Sequence, residues 1–494
     1  MMKLRELLNG LDILETNAGL DILETNAGLD SDIREVRYDS RLVESGDLFI
    51  AVTGAETDGH KYIPMAREKG AACVLCERAP EDGAPFVRVA DSRRALAVVG
   101  GNRFDHPARE MTMIGITGTS GKTTSTYLIK SILEQKAGAK VGLIGTIQNM
   151  IGDRVLHTER TTPESFELQR LLREMADAGC THVVMEVSSH ALMLDRVYGI
   201  PFAVGIYTNL SRDHLDFHKT MEAYCDAKAL LMRQCDVGIY NADDPWAERL
   251  MADATCRRRF SYSVNGQADL MAKNVALEPG CVNFDAEADT EWCHVHVGIP
   301  ALFTVYNTLD AMACCWNLGV PLAECADALA QNHGVKGRME IIPTPGTGYT
   351  VLNDYAHKPD ALEKVLQSAK AFAKGRVVAL FGCGGDRDKT KRPVMGEIGA
   401  RLADFVIVTS DNPRTEKPEA IIDDILVGLK GYDTPYAVIP DRVAAIHYAM
   451  DHAQPGDVIV LAGKGHEDYQ EIDHKHYPMD ERVIVAEHLK ETQK

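Results

Sequence analysis

The stretch Met113-Ile-Gly-Ile-Thr-Gly-Thr-Ser-Gly-Lys-Thr-Thr124 constrains this chain more than any other. Residues 113–116 form a short apolar run that reads as a buried strand, and residues 125–135 read as a helix. A glycine-rich turn joins them. Strand, glycine turn and helix start make a phosphate cradle, because glycine lets backbone N–H groups approach anionic oxygens and the helix N-terminus favours negative charge. Gly118, Thr119, Ser120, Gly121, Lys122, Thr123 and Thr124 are therefore expected to hold ATP. Lys122 would reach the outer phosphates and the Thr123 hydroxyl would take Mg²⁺. The usual spacing asks for glycine at 116, where Ile116 stands, so the loop is a variant. A chance Gly-Lys-Thr in a surface loop is the bland alternative; the flanking strand and helix argue against it.

ATP binding leaves open what the ATP is for, and the size of the chain bears on that. Its 494 residues are too many for one core and predict two to four domains. A formal net charge of -19 argues against a nucleic-acid partner, which would call for a basic face. It leaves room for an anionic small substrate met by local arginines. Twelve scattered cysteines and no secretory apolar region at the N-terminus predict reduced thiols in the cytoplasm. No apolar run approaches the roughly 20 residues of a membrane span.

Along the chain, residues 11–19 recur unchanged as 20–28. Two copies do not build a repeat architecture, and no function is assigned to them. Short strands (47–52, 72–76) and helices (63–69, 92–102) predict a small α/β domain over 1–109. From 110 to 335 strands at 141–146, 182–187, 203–209 and 237–241 alternate with helices at 166–178 and 220–232. That alternation predicts a mostly parallel sheet with helices on both faces. The pattern weakens over 260–297, where Cys293-His-Val-His296 reads as an alternating strand rather than a metal site. Residues 336–494 predict a second, Rossmann-like α/β domain, with strands at 349–353, 377–381, 405–409, 436–439 and 458–461. Each of four strands runs into a polar loop: 354–357, 382–389, 410–414 and 463–467. Ligands in such sheets bind at the carboxyl ends of strands, so these loops predict a substrate rim.

Three further residues carry chemistry. Glu186 closes an apolar strand, where an acid can hold Mg²⁺ directly or through water. His214 follows the strand at 203–209 and is a second metal-ligand candidate; His218 lies four residues on, but no third ligand with zinc spacing follows. Lys228 falls on the apolar face of its helix with Met221, Tyr224, Cys225 and Leu231. Burial would lower its pKa, and an uncharged amine can take up CO₂ as an anionic carbamate. A stem that packs while its head reaches water is the other reading.

These motifs together resemble the Mur ligases, ATP-dependent amino-acid ligases of cell-wall precursor synthesis. The resemblance runs through Asp39-Ser-Arg41, the loop 117–124, Thr161-Thr-Pro163, Glu186-Val-Ser-Ser-His190, residues 209–218, Tyr306-Asn307, Gly337-Arg-Met-Glu340, Asp354-Tyr-Ala-His-Lys-Pro-Asp360 and Gly463-Lys-Gly-His-Glu467. It covers nearly the whole chain. It implies an acyl phosphate made from ATP on a D-glutamate γ-carboxylate, then attack by an amine. Lys122, Lys228 and His214 would be catalytic, and Lys228 would be a carbamylated lysine. Thr123, Glu186, His214 and the Lys228 carbamate would hold Mg²⁺. Asn307, Arg338 and Asp354 would contact the nucleotide. Tyr38, Ser40, Ala55, Glu56 and Thr57 would take the uridine nucleotide. Thr161, Thr162, Ser188 and Arg196 would take the muramoyl peptide. A cytoplasmic monomer is implied, with small-molecule substrates, no nucleic acid and no membrane insertion.

Amino-acid choice should lie in the last third. Asp411-Asn412-Pro413-Arg414 resembles the version found in members that add meso-diaminopimelate to UDP-MurNAc-L-Ala-D-Glu. That substrate ends in a carboxylate where lysine has only an amine, and Arg414 can meet it bidentately. Arg387 and Gly463 belong to the same rim, and Glu467 is expected to face the distal ammonium. Two departures stand out: Arg160 precedes Thr161 where some relatives carry Asn, and Leu194 replaces a polar residue. A lysine-adding relative and a folylpolyglutamate synthetase are the nearest alternatives. A regulatory protein switched by its nucleotide loop is the alternative from another class.

Overall fold

A computed structural model describes residues 1–16, 29–54, 57–80, 85–278, 280–289, 291–330, 332 and 334–492. Ala55, Glu56 and residues 17–28 of the duplicated stretch lie outside the described residues. Two compact units emerge: Met1–Lys122 with Ala137–Ser261, and Thr123–Lys136 with Tyr262–Lys494.

Two larger sheets and the short pair Met2–Lys3 with Asp32–Ile33 lie in the first unit among the described residues. In the N-terminal one, Ile13–Thr16, Phe86–Val89, Cys73–Cys76, Leu48–Ile50 and Val36–Arg37 lie side by side, parallel except at the first pair. The helix Ser92–Arg103 covers it, started by the Asp91 carboxylate, which accepts from the N–H groups of Arg93 and Arg94. In the second sheet the parallel strands run Val141–Ile144, His182–Glu186, Thr112–Thr117, Phe202–Tyr207, Cys235–Asn241. Their near-continuous apolar sequences fit burial on both faces. Met113, Ile144, Val183, Met185 and Phe202 form one core with Leu168, Leu172 and Met175 of the helix Ser165–Asp177. The hairpin Asn149–Ile151 with Arg154–Leu156 extends the edge and was not expected from the sequence.

The second unit resolves the weak stretch after 260. Leu270–Glu278, Cys281–Ala288 and Glu291–Val297 form an antiparallel meander. Val282, Phe284, Ala286 and Ala288 point inward at alternate positions. His294 bonds Asp285 across the strands at 3.0 Å, as befits a strand surface. Two helices absent from the sequence reading, Leu302–Asn317 and Leu322–Ala330, follow. Ser125 of the helix Lys122–Lys136 donates to the buried Asp310 at 2.8 Å.

The remaining sheet runs Glu340–Ile342, Thr350–Asp354, Val458–Ala462, Val377–Phe381, Phe405–Val408, Tyr436–Val438, parallel except at its first strand. The four polar loops leave this sheet at the carboxyl ends of adjacent strands, on one edge. The hairpin Tyr469–Ile472 with Lys475–Pro478 lies beside them, joined by the bridge of Arg414 to Ile472. Beneath the rim is a fully buried ion pair, Arg442 Nε to Glu481 Oε1 at 2.8 Å. Arg442 also donates to the Ser410 carbonyl at 3.3 Å and the Ala462 carbonyl at 2.9 Å, tying one rim loop and the strand end before another to one guanidinium. Among the described residues no helix is long and apolar enough to cross a membrane. All twelve cysteines are free thiols.

Removing one partner of a buried ion pair leaves the other charge unpaired, at about 3–5 kcal/mol. Arg442→Met is therefore expected to lower the unfolding free energy of this unit by that amount, read from denaturant unfolding. The double variant Arg442→Met/Glu481→Leu should recover most of it. Equal destabilisation in the single and double variants would show that the pair does not anchor the rim.

Candidate active site

The nucleotide loop is shaped by the end of the neighbouring strand. Thr208 Oγ1 donates to the Ser120 carbonyl at 2.7 Å, and Asn209 Oδ1 accepts from the Ser120 N–H at 3.0 Å. The Asn209 carbonyl accepts from the Thr119 N–H at 2.9 Å. Gly118 adopts φ +153°, and a Cβ there would lie 1.8 Å from Thr208 Oγ1. Only glycine fits this approach. Lys122 Nζ donates to the carbonyls of Gly118 (2.8 Å) and Thr119 (3.1 Å), which holds its charge over the loop. Gly121, at φ +90°, turns the chain into the helix Lys122–Lys136, whose first turn buries Thr123 and Thr124.

One tyrosine links this loop to the lysine singled out above. Tyr224 places its hydroxyl 3.3 Å from Thr119 Oγ1 and its ring 4.4 Å from Lys228 Nζ. Lys228 is 1% exposed, within the helix Met221–Met232. Burial pushes its pKa well down, and the nearby Lys122 charge pushes it further. The reading of a solvent-reaching head is thereby corrected: the amine is interior, and its burial disfavours the charged form.

Glu186 is buried, and its carboxylate accepts from the N–H and the hydroxyl of Thr146, both at 2.9 Å. Thr146 Oγ1 is also 3.0 Å from Thr161 Oγ1. Gly145 leaves room for this carboxylate, since a Cβ there would meet Glu186 Oε1 at 2.6 Å. Thr162 donates to the Glu186 carbonyl at 2.8 Å and accepts from the Ser188 N–H at 3.1 Å. Ser188 in turn caps the short helix Ser189–Met193. His214, in the left-handed region at φ +53°, packs edge-on to His190. His218 is buried, 2.8 Å from Ser189 Oγ and stacked on Tyr224; burial takes its pKa to about 4. Among the described residues no three His, Cys, Asp or Glu side chains gather as a metal cage.

At the N-terminal sheet, Tyr38 donates to Glu167 Oε2 at 2.7 Å, and burial and that carboxylate raise its pKa. Asp39, Ser40 and Arg41 form a self-satisfied 3₁₀ turn in which Asp39 accepts from the Arg41 N–H and side chain. Ser40 is buried against Met65 at 3.5 Å. The Thr57 carbonyl closes a turn on the Gly54 N–H at 2.9 Å.

In the second unit, Asn307 is buried on the helix Leu302–Asn317. Arg338 lies over the Tyr355 ring at 5.4 Å, and Asp354 accepts from the Met339 N–H at 2.8 Å. Burial raises the Asp354 pKa while Arg338 opposes that rise.

The rim loops are bonded to one another. Arg414, at φ +52°, places Nε 2.8 Å from Glu471 and donates Nη1 to the Gly385 carbonyl at 2.9 Å. Arg387 is exposed, and its nearest bond is to its neighbour's carbonyl, Asp386, at 3.4 Å. A residue of the 463–467 loop to which the sequence reading gave no role holds the centre. Lys464, fully buried, donates to Asn412 Oδ1 at 2.6 Å and Glu467 Oε2 at 2.8 Å. Asn412 Nδ2 also donates to Glu467 Oε2, at 3.0 Å. Glu467 is thus already half-neutralised rather than a free counter-ion. Asp411 is buried close to Gly463, where a Cβ would lie 2.6 Å from its Oδ2. Pro413 passes so near Gly385 that a Cβ there would meet its carbonyl oxygen at 1.9 Å. Arg392, also given no role, is buried, pairs with the partly exposed Glu416 and Asp424 and braces the loop at Gly384.

Gly118→Ala is expected to weaken ATP binding by at least about tenfold, or 1.4 kcal/mol, because Thr208 must move and with it Ser120. Titration with a fluorescent ATP analogue checks this. An unchanged Kd would mean that the loop is not the cradle.

Family models match along the chain: "Mur ligase family, catalytic domain" over residues 32–102, "Mur ligase middle domain" over 116–315 and "Mur ligase, glutamate ligase domain" over 337–465. A UDP-N-acetylmuramoyl-L-alanyl-D-glutamate–2,6-diaminopimelate ligase of Clostridium acetobutylicum is 48% identical, over 93% of this chain and 95% of its own. The ligase of the same name from Clostridium botulinum is 46% identical, over 93% of this chain and 96% of its own. A solved structure of a ligase with that name superposes with a TM-score of 0.74 at 31% identity, covering 100% of this chain and 99% of the other. With matched models from residue 32 to residue 465 and relatives alike over nearly their whole length, the chain belongs to the Mur ligase family.

Proposed function

We propose that this chain joins meso-diaminopimelate to the D-glutamate γ-carboxylate of UDP-N-acetylmuramoyl-L-alanyl-D-glutamate, using ATP, in peptidoglycan precursor synthesis. The observation that carries the choice of amino acid is the Asp411–Arg414 loop, with its arginine braced by Glu471 and the Gly385 carbonyl. The names of relatives at 46% and 48% identity agree with it.

In this reading a γ-carboxylate oxygen attacks the terminal phosphorus of ATP, and ADP leaves. An amine of diaminopimelate then attacks the acyl carbon, the tetrahedral intermediate expels phosphate, and the nitrogen loses a proton. Little covalent chemistry falls to the protein; positioning and charge stabilisation carry the rate. Lys122 and the N–H groups of residues 118–124 hold the phosphates. Thr161, Thr162, Ser188 and Arg196 hold the muramoyl peptide, and Tyr38, Ser40 and Thr57 the uridine end. Asn307, Arg338 and Asp354 contact the nucleotide. Thr123, Glu186, His214 and Lys228 are the residues for Mg²⁺, which when bound offsets phosphate charge. The burial of Lys228, which disfavours its charged form, suits carbamate formation, because CO₂ reacts only with an unprotonated amine. The corresponding domain boundaries are 1–109, 110–335 and 336–494.

Arg414, already paired with Glu471, favours diaminopimelate because its guanidinium can add a charge-assisted hydrogen bond to a distal carboxylate that lysine lacks. Such a bond is worth about 1.5–3 kcal/mol, roughly one to two powers of ten in selectivity. Phosphate release with ATP, Mg²⁺ and the UDP-substrate should follow diaminopimelate and not L-lysine. Arg414→Ala should lose most of that preference. Turnover with lysine in the wild type would keep the ligase and remove the arginine as its selector. Lys464→Met should raise KM for diaminopimelate about tenfold or more while KM for ATP stays put, since charge-assisted hydrogen bonds are worth about 1.5–3 kcal/mol. Equal changes in both KM values would mean general loosening of the rim.

A further inference from the structure

Three arginines converge on one carboxylate beside the residues assigned to the muramoyl peptide. Glu164 Oε1 lies 2.5 Å from Arg196 Nε and 3.1 Å from Arg160 Nη1, and Glu164 Oε2 lies 3.5 Å from Arg93 Nη1. The other nearby acids are engaged: Asp195 and Asp91 with Arg94, Glu167 with the Tyr38 hydroxyl. One carboxylate therefore faces three guanidinium charges, an excess of two positive charges in a chain whose formal net charge is -19.

The three are not equivalent. Arg196 and Arg93 are 14% and 18% exposed at the side chain, whereas Arg160 is 54% exposed. Arg196 is further fixed by donation to the Thr162 carbonyl at 3.2 Å, and Arg93 by donation to the Thr53 carbonyl at 3.0 Å. Arg160 has no such second tether, and among the described residues its side chain is bonded to Glu164 alone. Glu164 itself is anchored at the start of the helix Ser165–Asp177, where negative charge is favoured.

We infer that Glu164 is a resident counter-ion for an anion-binding cluster, and that Arg160 is its movable arm, exchanging Glu164 for an acidic group of the substrate. The cluster also fits in place: Thr162 and Ser188 adjoin it on one side and Tyr38 on the other. Its ligand chemistry is that of a phosphate or carboxylate. Rigid Arg196 and Arg93 stay on Glu164, so the exchange involves one exposed ion pair, whose loss costs little. This inference rests on the proposed function for the identity of the substrate. It gives Arg160, the residue that departs from the Asn of some relatives, a task of its own.

The test is steady-state kinetics with calorimetric binding, for wild type, Arg160→Ala and Arg160→Lys. Arg160→Ala is expected to raise KM for UDP-MurNAc-L-Ala-D-Glu about tenfold, with kcat within about twofold. Arg160→Lys should recover part of the loss as a point charge. Binding of UDP-MurNAc, which lacks the peptide, separates the sources. An equal loss of affinity for both ligands assigns the diphosphate, and a loss confined to the dipeptide ligand assigns its carboxylates. Unchanged KM and Kd in Arg160→Ala, or a fall in kcat alone, would overturn the inference while leaving the ligase intact. A wild type that binds UDP-MurNAc but does not turn over would instead reject the proposed function, and the binding comparison would still read out Arg160.

Discussion

The site depends on the close approach of the nucleotide loop to the strand end beside it. A phosphate cradle built from backbone has no side chains of its own to define its shape. Here the definition comes from Thr208 and Asn209, which bond Ser120 and Thr119 at 2.7–3.0 Å. The condition for that contact is a missing Cβ at Gly118. Tyr224 then carries the same order to Lys228 and His218, through one hydroxyl and one ring. Nucleotide loop, interior lysine and histidine cluster are in this way one packed object rather than three motifs.

At the amino-acid rim the organising principle is internal neutralisation. Charged groups held for a ligand are costly to keep buried unless paired. The rim meets that cost with its own counter-charges: Lys464 for Glu467, Glu471 for Arg414, Glu416 and Asp424 for Arg392, Glu481 for Arg442. The Glu164 cluster follows the same logic with one counter-charge for three arginines.

Much of this was legible in the sequence. The parallel strands were, because apolar runs followed by polar loops have few other uses, and Glu186 and Lys228 were, because a charge in an apolar pattern is conspicuous. The meander over 270–297 and the helix Leu302–Asn317 were not. Short alternating strands carry little periodic signal, and that helix is buried on most of its surface, with Val305, Leu309, Met312 and Cys315 all fully covered, so it shows no polar face. Lys464, Arg392, Arg442 and Glu164 escaped notice for another reason. Their partners lie 3, 24, 39 and 32 residues away for the pairs with Glu467, Glu416, Glu481 and Arg196, and only the last third's folding or a sheet crossover brings most of them together. Lys464 alone had a usable local signal, a lysine one residue beyond the buried strand Val458–Ala462 and its glycine.

The central claim is that ATP activates a carboxylate as an acyl phosphate, which an amine then opens. Isotope transfer tests it most directly. UDP-substrate carrying ¹⁸O in the D-glutamate γ-carboxylate would be turned over with ATP and diaminopimelate, and the released phosphate analysed by mass spectrometry. The account predicts one ¹⁸O atom per phosphate formed, delivered by the carboxylate oxygen that bonded phosphorus. Phosphate free of ¹⁸O, with the displaced ¹⁸O released into water instead, would contradict it.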